Sequence, residues 1–297
     1  MGNNSKNLQF LDGFVLKIIA MVTMTLDHVG IFLLHQNPDN VLGTVFRIIG
    51  RLAFPLYMFF LAEGMRNTRS KEKYLLRIGL MWGGITLGET IFVYLMNMGY
   101  TADTLSPEPF TDLFFCMLFL YLLLLPKWKK AFAILPLAVM ALSFGVDAYE
   151  VMSATTIHWF PYYLRFGYGL FGALLVVLFY FAPAITKKIH AGRIQNLGIS
   201  MEEFMESVEY RRQNNLVSIG GLIISVIIFW AIGYIGRGID TAPFDVYHMG
   251  MGSYALLSGF LIFLYSGRRG YDSKAFRIIS YLYFPVHLAI LFFIFSF

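Results

Sequence analysis

Nine stretches of this chain are each roughly long enough and apolar enough to cross a lipid bilayer as a helix. Such a helix needs about 20 consecutive, mostly apolar residues. Backbone polar groups inside lipid must find partners within the protein, which favours helical spans. The sequence therefore predicts an all-α, polytopic membrane bundle of about nine transmembrane helices. The predicted spans lie at about 14–35, 43–64, 74–98, 110–126, 131–147, 162–182, 216–235, 252–266 and 278–297.

The composition favours a membrane protein over a soluble one. Hydrophobic residues make up 58% of the 297 residues and charged residues only 14%, whereas an average soluble domain has about 25% charged residues. The formal net charge of +5 comes from short basic clusters between apolar runs, so no nucleic-acid partner is expected. The one cysteine, Cys116, lies in a predicted span and supports neither a disulfide framework nor a metal site.

The positive charges predict how the bundle is oriented. Lysine and arginine concentrate in short cytoplasmic loops of membrane proteins. In this chain they concentrate in alternate loops, while the opposite loops hold only Arg237. This alternation predicts an N-terminus inside the cell and a C-terminus outside. The basic segments are the N-terminus and the loops near 66–77, 127–130, 187–212 and 268–277.

The chain is predicted to form one domain over residues 1–297, with a single sizeable polar insertion at about 184–215. We find no internal repeat and no low-complexity tract. Within the insertion, Ser200 and Glu203 form a capping-box pattern that is typical of a helix start. The insertion is therefore expected to carry a cytoplasmic amphipathic helix, which as a structural element would simply be solvated.

A set of ionisable residues lies inside the predicted spans. A charge at the bilayer centre costs a few kcal/mol, so these residues normally face a protein interior or a water-filled cavity. Their presence predicts a bundle built around a polar cavity. From the rise of 1.5 Å per residue, four of them (Asp27, His28, Arg51 and Glu89) are expected at one level in the outer half of the membrane. The full set is Lys17, Asp27, His28, Arg47, Arg51, Glu63, Glu89 and His287.

Helical spacing predicts which of these side chains share a face. Lys17 and His28 are separated by about three helical turns and lie on one face, so a single groove can reach both. Asp27 and His28 are consecutive and point about 100° apart. Asp27 is therefore expected to pair with Arg47 or Arg51 of the next span, and His28 is expected to keep its ring free.

Each candidate also has an alternative, structural interpretation. His28 is a general base, a member of a proton relay, or a hydrogen-bonded structural histidine. His287 is either a core residue or a member of the site. Glu63 suits a helix end that pairs with a loop, and Arg66 and Arg69 suit charges that orient the chain in the membrane.

Four motifs in the sequence resemble the TraX family. They read LKIIAMVTMTLDHVG, RIIGRLAFPLYMFFLAEGMRNTRS, KYLLRIGL and YLYFPVHL. TraX proteins are implicated in N-terminal acetylation of conjugative pilin. The resemblance therefore implies an acetyltransferase of the bacterial cytoplasmic membrane that uses acetyl-CoA. Lys17, ten intervening residues and His28 are also similar to a pattern of the transmembrane acyltransferases that modify cell-surface sugars, which implies that His28 is the base and that Lys17 contacts coenzyme A.

The resemblance implies a full set of site residues. The expected catalytic residues are His28, Asp27 and Arg51. The expected contacts of acetyl-CoA are Lys17, Arg47, Glu63, Arg66 and Arg69, and Glu89 and His287 are further candidates. No metal is expected. The acceptor would be an exported peptide, a pilin or a glycan at the outer face, and membrane lipid is the remaining partner.

Two other functions stay open at this point. The same Asp27, His28 and Glu89 are suited to the relay of a proton-coupled transporter, although transporters commonly show a repeat between their halves. A non-enzymatic factor for pilus or envelope assembly is the second alternative.

Overall fold

The computed structural model of the chain describes residues 8–95, 108–237 and 249–296. Over these ranges the regular elements are helices, apart from an isolated β-bridge between Leu11 and Tyr265. The all-α prediction is confirmed for this part of the chain. The α-helices are α1 (Gly13–Gln36), α2 (Val41–Gly50), α3 (Ala53–Asn67), α4 (Lys71–Leu95), α5 (Glu108–Leu123), α6 (Ile134–Ser153), α7 (Gly169–Leu197), α8 (Met201–Glu206), α9 (Val208–Arg237), α10 (Ser258–Phe263) and α11 (Lys274–Ser296); 3₁₀ helices cover Lys127–Ala133, Tyr162–Leu164 and Met249–Leu257.

Six helical stretches within the described residues are long and apolar enough to cross a membrane. Two further apolar helices there, Pro109–Leu123 and Gly252–Phe263, are shorter. By length and composition the chain is a multi-pass membrane protein. The total of nine spans and the orientation in the membrane stay predictions. The six long stretches are Gly13–Gln36, Val41–Asn67, Lys127–Ser153, Tyr162–Asn196, Val208–Gly233 and Lys274–Phe295.

The second predicted span is divided into two helices. Helix α2 ends at Gly50 and α3 begins at Ala53, with a turn at Arg51 and Leu52 between them. Pro55 explains the position of the turn, because a proline ring clashes with the carbonyl group four residues earlier, which belongs to Arg51. Arg51 therefore caps the end of α2, and it does not lie in the middle of a continuous helix.

Other predicted elements also differ in detail. The third predicted span forms the long helix α4, which is not among the six stretches above. The eighth consists of the end of the 3₁₀ helix Met249–Leu257 followed by the short α10. In the insertion, α7 and α9 extend far beyond their apolar parts, and only the six-residue α8 is separate. Ser200 caps α8 as the sequence predicted, because its Oγ accepts a hydrogen bond from the Glu203 N–H at 3.1 Å.

The described residues form two compact units. The first unit draws its residues from Met1–Tyr57, Leu178–Trp230 and Thr241–Phe297, and the second from Met58–Val177 and Ala231–Asp240. Helices α1, α2 and α11 belong to the first unit, and α4, α5 and α6 belong to the second. The candidate residues from the sequence are therefore divided between the two units.

Small residues and backbone bonds hold the first unit together. Gly30 of α1 lies against Gly43 and Arg47 of α2, where a β-carbon would meet the Gly43 carbonyl oxygen at 2.8 Å. Small residues at a helix contact allow close approach inside membranes. Before α1, the Leu11 N–H donates to Leu264 O at 3.0 Å and the Gly13 N–H donates to Arg268 O at 2.8 Å. These bonds attach the start of α1 to the segment before α11.

Aromatic rings and a buried carboxylate organise the second unit. Trp82 of α4 stacks on Phe114 of α5 with ring centroids 4.9 Å apart, and its Nε1–H donates to Thr111 at 3.0 Å. Asp112, fully buried in α5, accepts hydrogen bonds from the backbone N–H groups at the start of α7, the shortest from Gly169 at 2.6 Å. Asp112 thus satisfies donors that a helix N-terminus leaves without partners.

Candidate functional site

An ion-pair cluster links α1 to α2 in the first unit. Asp27 accepts hydrogen bonds from Arg47 Nη1 at 2.6 Å and from Arg51 Nη2 at 2.6 and 2.8 Å. The sequence predicted one of these two pairs, and the structure forms both. Spacing of i, i+4 places both arginines on one face of α2. The cluster carries a net charge of about +1 and is mostly buried, with side-chain exposures of 14% for Asp27, 22% for Arg47 and 12% for Arg51.

Gly50 makes room for this cluster. A β-carbon at Gly50 would overlap with the Oδ1, Cβ and Cγ atoms of Asp27. The overlap with Cβ matters most, because that atom moves little when a side chain rotates. Glycine at this position therefore allows α1 to approach the end of α2 closely enough for Asp27 to reach both guanidinium groups.

A pair of histidines lies next to this cluster along α1. His28 Nδ1 and His287 Nε2 are 3.0 Å apart, and His287 Nδ1 is 2.9 Å from the Tyr283 carbonyl oxygen. His287 is 6% exposed, and Thr25 and Tyr283 join the same two helices through their hydroxyl groups, 2.6 Å apart. The expectation that the His28 ring stays free was wrong, because α11 places His287 against its Nδ1.

The partners of the two rings assign their tautomers when both are neutral. A carbonyl oxygen only accepts, so His287 carries its proton on Nδ1 and leaves Nε2 as an acceptor. His28 must then donate from Nδ1, and its Nε2 holds the lone pair. This chain of bonds orients the His28 ring and leaves it a basic nitrogen, which is the arrangement required of a general base.

Lys17 lies near a cluster of charges at the other end of the first unit. Asp272 accepts hydrogen bonds from Arg277 Nε and Nη2, both at 2.6 Å, and from Arg269 Nη1 at 2.9 Å. The hydrogen-bonded Arg277 guanidinium lowers the pKa of Asp272, with smaller effects from Arg269 and Lys17. From the sequence these arginines were expected only to orient the chain in the membrane, and no local pattern indicated that Asp272 lies within electrostatic reach of Lys17.

The remaining candidate residues belong to the second unit. Glu63 and Arg66 are half-buried in α3, Arg69 is exposed in the turn after it, and Glu89 lies in α4. The predicted layer of Asp27, His28, Arg51 and Glu89 stays a prediction.

Among the residues that the structure describes, no group of three or more histidine, cysteine, aspartate or glutamate side chains is arranged to hold a metal ion. Cys116 is buried, with its Sγ 3.8 Å from the Gly169 carbonyl oxygen.

The fold and the polar site place the chain in a class. It is a multi-pass helical membrane protein with an ion-pair cluster and an oriented histidine pair among its apolar helices. A model of the TraX protein family matches residues 12–180, which is more than half of the chain, and the chain therefore belongs to the TraX family. The match includes Lys17, Asp27 and His28, whereas His287 lies beyond it.

One curated relative is similar to part of the chain. It is the probable fimbrial assembly protein FimC of serogroup H1 from Dichelobacter nodosus, 39% identical over 74 residues. The match covers 25% of this chain and 29% of the relative, so the chain spans less than a third of that protein's length. No solved structure matches the chain.

Proposed function

We propose that this protein is a membrane acetyltransferase that moves the acetyl group of cytoplasmic acetyl-CoA to an amine or hydroxyl acceptor at the extracytoplasmic face. The observation that supports this proposal most is the His28–His287 pair, which leaves a basic nitrogen on an oriented ring within the apolar bundle. Membership of the TraX family gives the proposal its reaction class. The acceptor is an exported peptide, a pilin-like N-terminus or a glycan.

His28 acts as the general base in this proposal. Its Nε2 takes the proton from the acceptor nitrogen or oxygen as that atom forms a bond to the acetyl carbonyl carbon. The C–S bond of the thioester then breaks, and the same proton passes to the departing thiolate, so that free coenzyme A is released. His287 is a positioning residue, because it holds the His28 ring and its tautomer without touching the reacting atoms.

The ion-pair cluster supplies electrostatic stabilisation. Charge develops on the carbonyl oxygen in the transition state, and a cation in a site of low dielectric constant is well suited to stabilise it. Arg51 is assigned this role, because Asp27 and its position at the end of α2 hold the guanidinium in place. Arg47 shares Asp27 and keeps the cluster positively charged.

Lys17 is assigned to the binding of the acetyl donor, acetyl-CoA. Coenzyme A carries several phosphate charges, which a lysine near the cytoplasmic end of α1 attracts. Lys17→Ala should raise the KM for acetyl-CoA with kcat nearly unchanged, because the lost contact is one of binding. A fall in kcat alone would contradict the assignment. The same measurement on Glu63, Arg66 and Arg69 variants tests each of those residues separately.

The central experiment measures release of coenzyme A and labelled product from radiolabelled acetyl-CoA by the purified protein. General-base catalysis is typically worth 10²–10⁴-fold, so His28→Gln should lower the rate by about that factor. Glutamine keeps the approximate size and hydrogen bonding of histidine but cannot take a proton. His35→Gln, an exposed histidine on the same helix, is the matched control and should keep full activity. A substantially active His28→Gln protein would reduce His28 to a structural hydrogen-bonder.

The proposal also requires the predicted orientation. Single cysteines placed in 66–73 or 187–212 should be shielded from a membrane-impermeant label applied to intact cells, and those in 236–251 should be labelled. The reverse pattern would place the donor site on the wrong side of the membrane.

A non-enzymatic role in fimbrial assembly is the second candidate, and the name of the curated relative, a probable fimbrial assembly protein, favours it. The two functions are separable by complementation. If His28→Gln restores fimbriae to cells that lack the gene while the wild-type protein releases no coenzyme A, the assembly role stands and the acetyltransferase proposal fails.

A further inference from the structure

A cavity lined by both polar and aromatic side chains lies in the second unit. Its volume is about 390 Å³, and its wall is formed by one face of α4 and by the segment before α7. The α4 side chains recur at i, i+3 and i+4, so they line the cavity together. The lining residues are Thr86, Glu89, Thr90, His158, Pro161, Tyr162 and Tyr163.

Two polar atoms of this wall are buried without a hydrogen bond. Within the described part of the chain, neither Glu89 Oε2 nor Thr86 Oγ1 has a partner. By contrast, the fully buried Asp112 of the same unit accepts bonds from backbone N–H groups. Leaving such a group unsatisfied costs about 1–3 kcal/mol, and more when it is charged. Such a group needs a donor from outside the protein, which a water molecule or a ligand in the cavity can supply.

The opposite wall is held in place by Arg165. Its guanidinium donates to Glu150 at 2.5 and 2.8 Å and to the Ile157 carbonyl oxygen at 3.1 Å, and it lies 5.0 Å from the centre of the Tyr162 ring. The Glu150 carboxylate neutralises the charge of Arg165. Because Arg165 also binds the Ile157 carbonyl oxygen, it attaches both ends of the segment before α7 to α6. The wall is therefore preorganised, and Arg165 is engaged by Glu150.

We propose that this cavity binds a primary ammonium group carried on a small aromatic or apolar body. An ammonium offers three donors and no acceptor, which suits Glu89 Oε2 and Thr86 Oγ1 together. Arg165 already lies over the Tyr162 ring, so Tyr163 is the ring that favours a ligand cation near its face. Both rings favour an apolar body beside them. The Glu89 carboxylate disfavours an anion. The proposal rests on the cavity alone and does not depend on acetyl transfer.

The test is isothermal titration calorimetry of the full chain in detergent with phenethylamine hydrochloride and with phenethyl alcohol. The two probes share their aromatic body and differ in the ammonium group. The amine should bind measurably and the alcohol at least about tenfold more weakly, as expected when a charge-assisted hydrogen bond is lost. Equal binding of the two probes, or no binding of the amine, would overturn the proposal.

Two variants test whether the amine binds in this cavity. Glu89→Gln should weaken the amine at least about tenfold and leave the alcohol unchanged, because the amide keeps the shape but lacks the charge. Glu202→Gln removes an exposed carboxylate elsewhere and should leave the affinity for the amine unchanged. If both variants lose the same affinity for the amine, the amine is attracted nonspecifically to negative charge and does not bind at Glu89. If Glu89→Gln does not fold, the comparison of the two probes on the wild-type chain still decides the outcome.

Discussion

In the first unit Asp27 is paired with two guanidinium groups, whereas in the second unit a Glu89 oxygen is buried with no hydrogen bond inside the described ranges. Both carboxylates lie on long helices of a membrane protein. The Asp27 carboxylate has its counter-charges within the protein. His28, the next residue along α1, is oriented by His287. The Glu89 carboxylate lines a cavity with a wall of aromatic residues.

The difference teaches what each unit is built to do. A compensated cluster holds its groups at fixed positions, which suits chemistry that needs a prearranged electrostatic environment. An uncompensated carboxylate lowers the stability of the protein. A ligand that pairs with it recovers that free energy, so such a group is suited to ligand binding. Removing charge should therefore have opposite effects on stability in the two units.

The largest expected effect is that of Asp27→Ala. It leaves the guanidinium groups of Arg47 and Arg51 mostly buried without their counter-charge, and breaking a buried ion pair costs about 3–5 kcal/mol. The free energy of unfolding, measured by SDS titration in mixed micelles, should fall by that amount. Asp39→Ala, at an exposed position beyond α1, is the control and should change it by no more than about 0.5 kcal/mol. If Asp27→Ala and Asp39→Ala change the free energy of unfolding equally, Asp27 does not compensate the charges of Arg47 and Arg51.

His287→Phe tests the histidine pair. The phenyl ring keeps the packing but offers no acceptor to His28 Nδ1. Groups that orient a histidine typically contribute about 10–100-fold to activity in metal sites, and kcat of acetyl transfer should fall by about that factor with KM unchanged. His35→Phe should leave both constants unchanged. A change confined to KM, or to stability, would show that His287 only packs.

Gly50→Ala tests the contact between α1 and the end of α2. The added methyl overlaps with Asp27, and overpacking costs typically about 1–3 kcal/mol. The free energy of unfolding should fall by that amount. Gly220→Ala is a matched control, because a β-carbon at Gly220 meets nothing within 4 Å. Alanine is the better helix former, so this control should be neutral or slightly stabilising.

Glu89→Gln should have the smallest effect on stability, and the opposite sign. Replacing an uncompensated carboxylate by a neutral amide removes part of the cost of burying charge, so the free energy of unfolding should stay unchanged or rise by about 1 kcal/mol. It is measured in the same micelles without added amine. A loss as large as that of Asp27→Ala would mean that Glu89 has a stabilising partner, and the comparison of the two units would fail.

Several features of the fold and of the site were predictable because they are local. The i, i+4 spacing of Arg47 and Arg51 placed both on one face of α2, and Asp27 was expected to reach that face. The cap at Ser200 followed from a four-residue pattern. Pro55 predicted a local loosening of the second span, but the complete break at Arg51 and Leu52 was not predicted, because apolar periodicity alone runs through both α2 and α3.

The sequence by itself determined that the chain is helical and apolar enough to cross a membrane several times, and that ionisable side chains lie inside those helices. These conclusions need only residue composition and the 3.6-residue turn. Only the tertiary structure decided that His287, 259 positions along the chain from His28, orients that ring. It also decided that Glu89 belongs to a different unit. The physical reason is that periodicity assigns faces within one helix, whereas the choice of neighbouring helices depends on close packing at small residues such as Gly30 and Gly43.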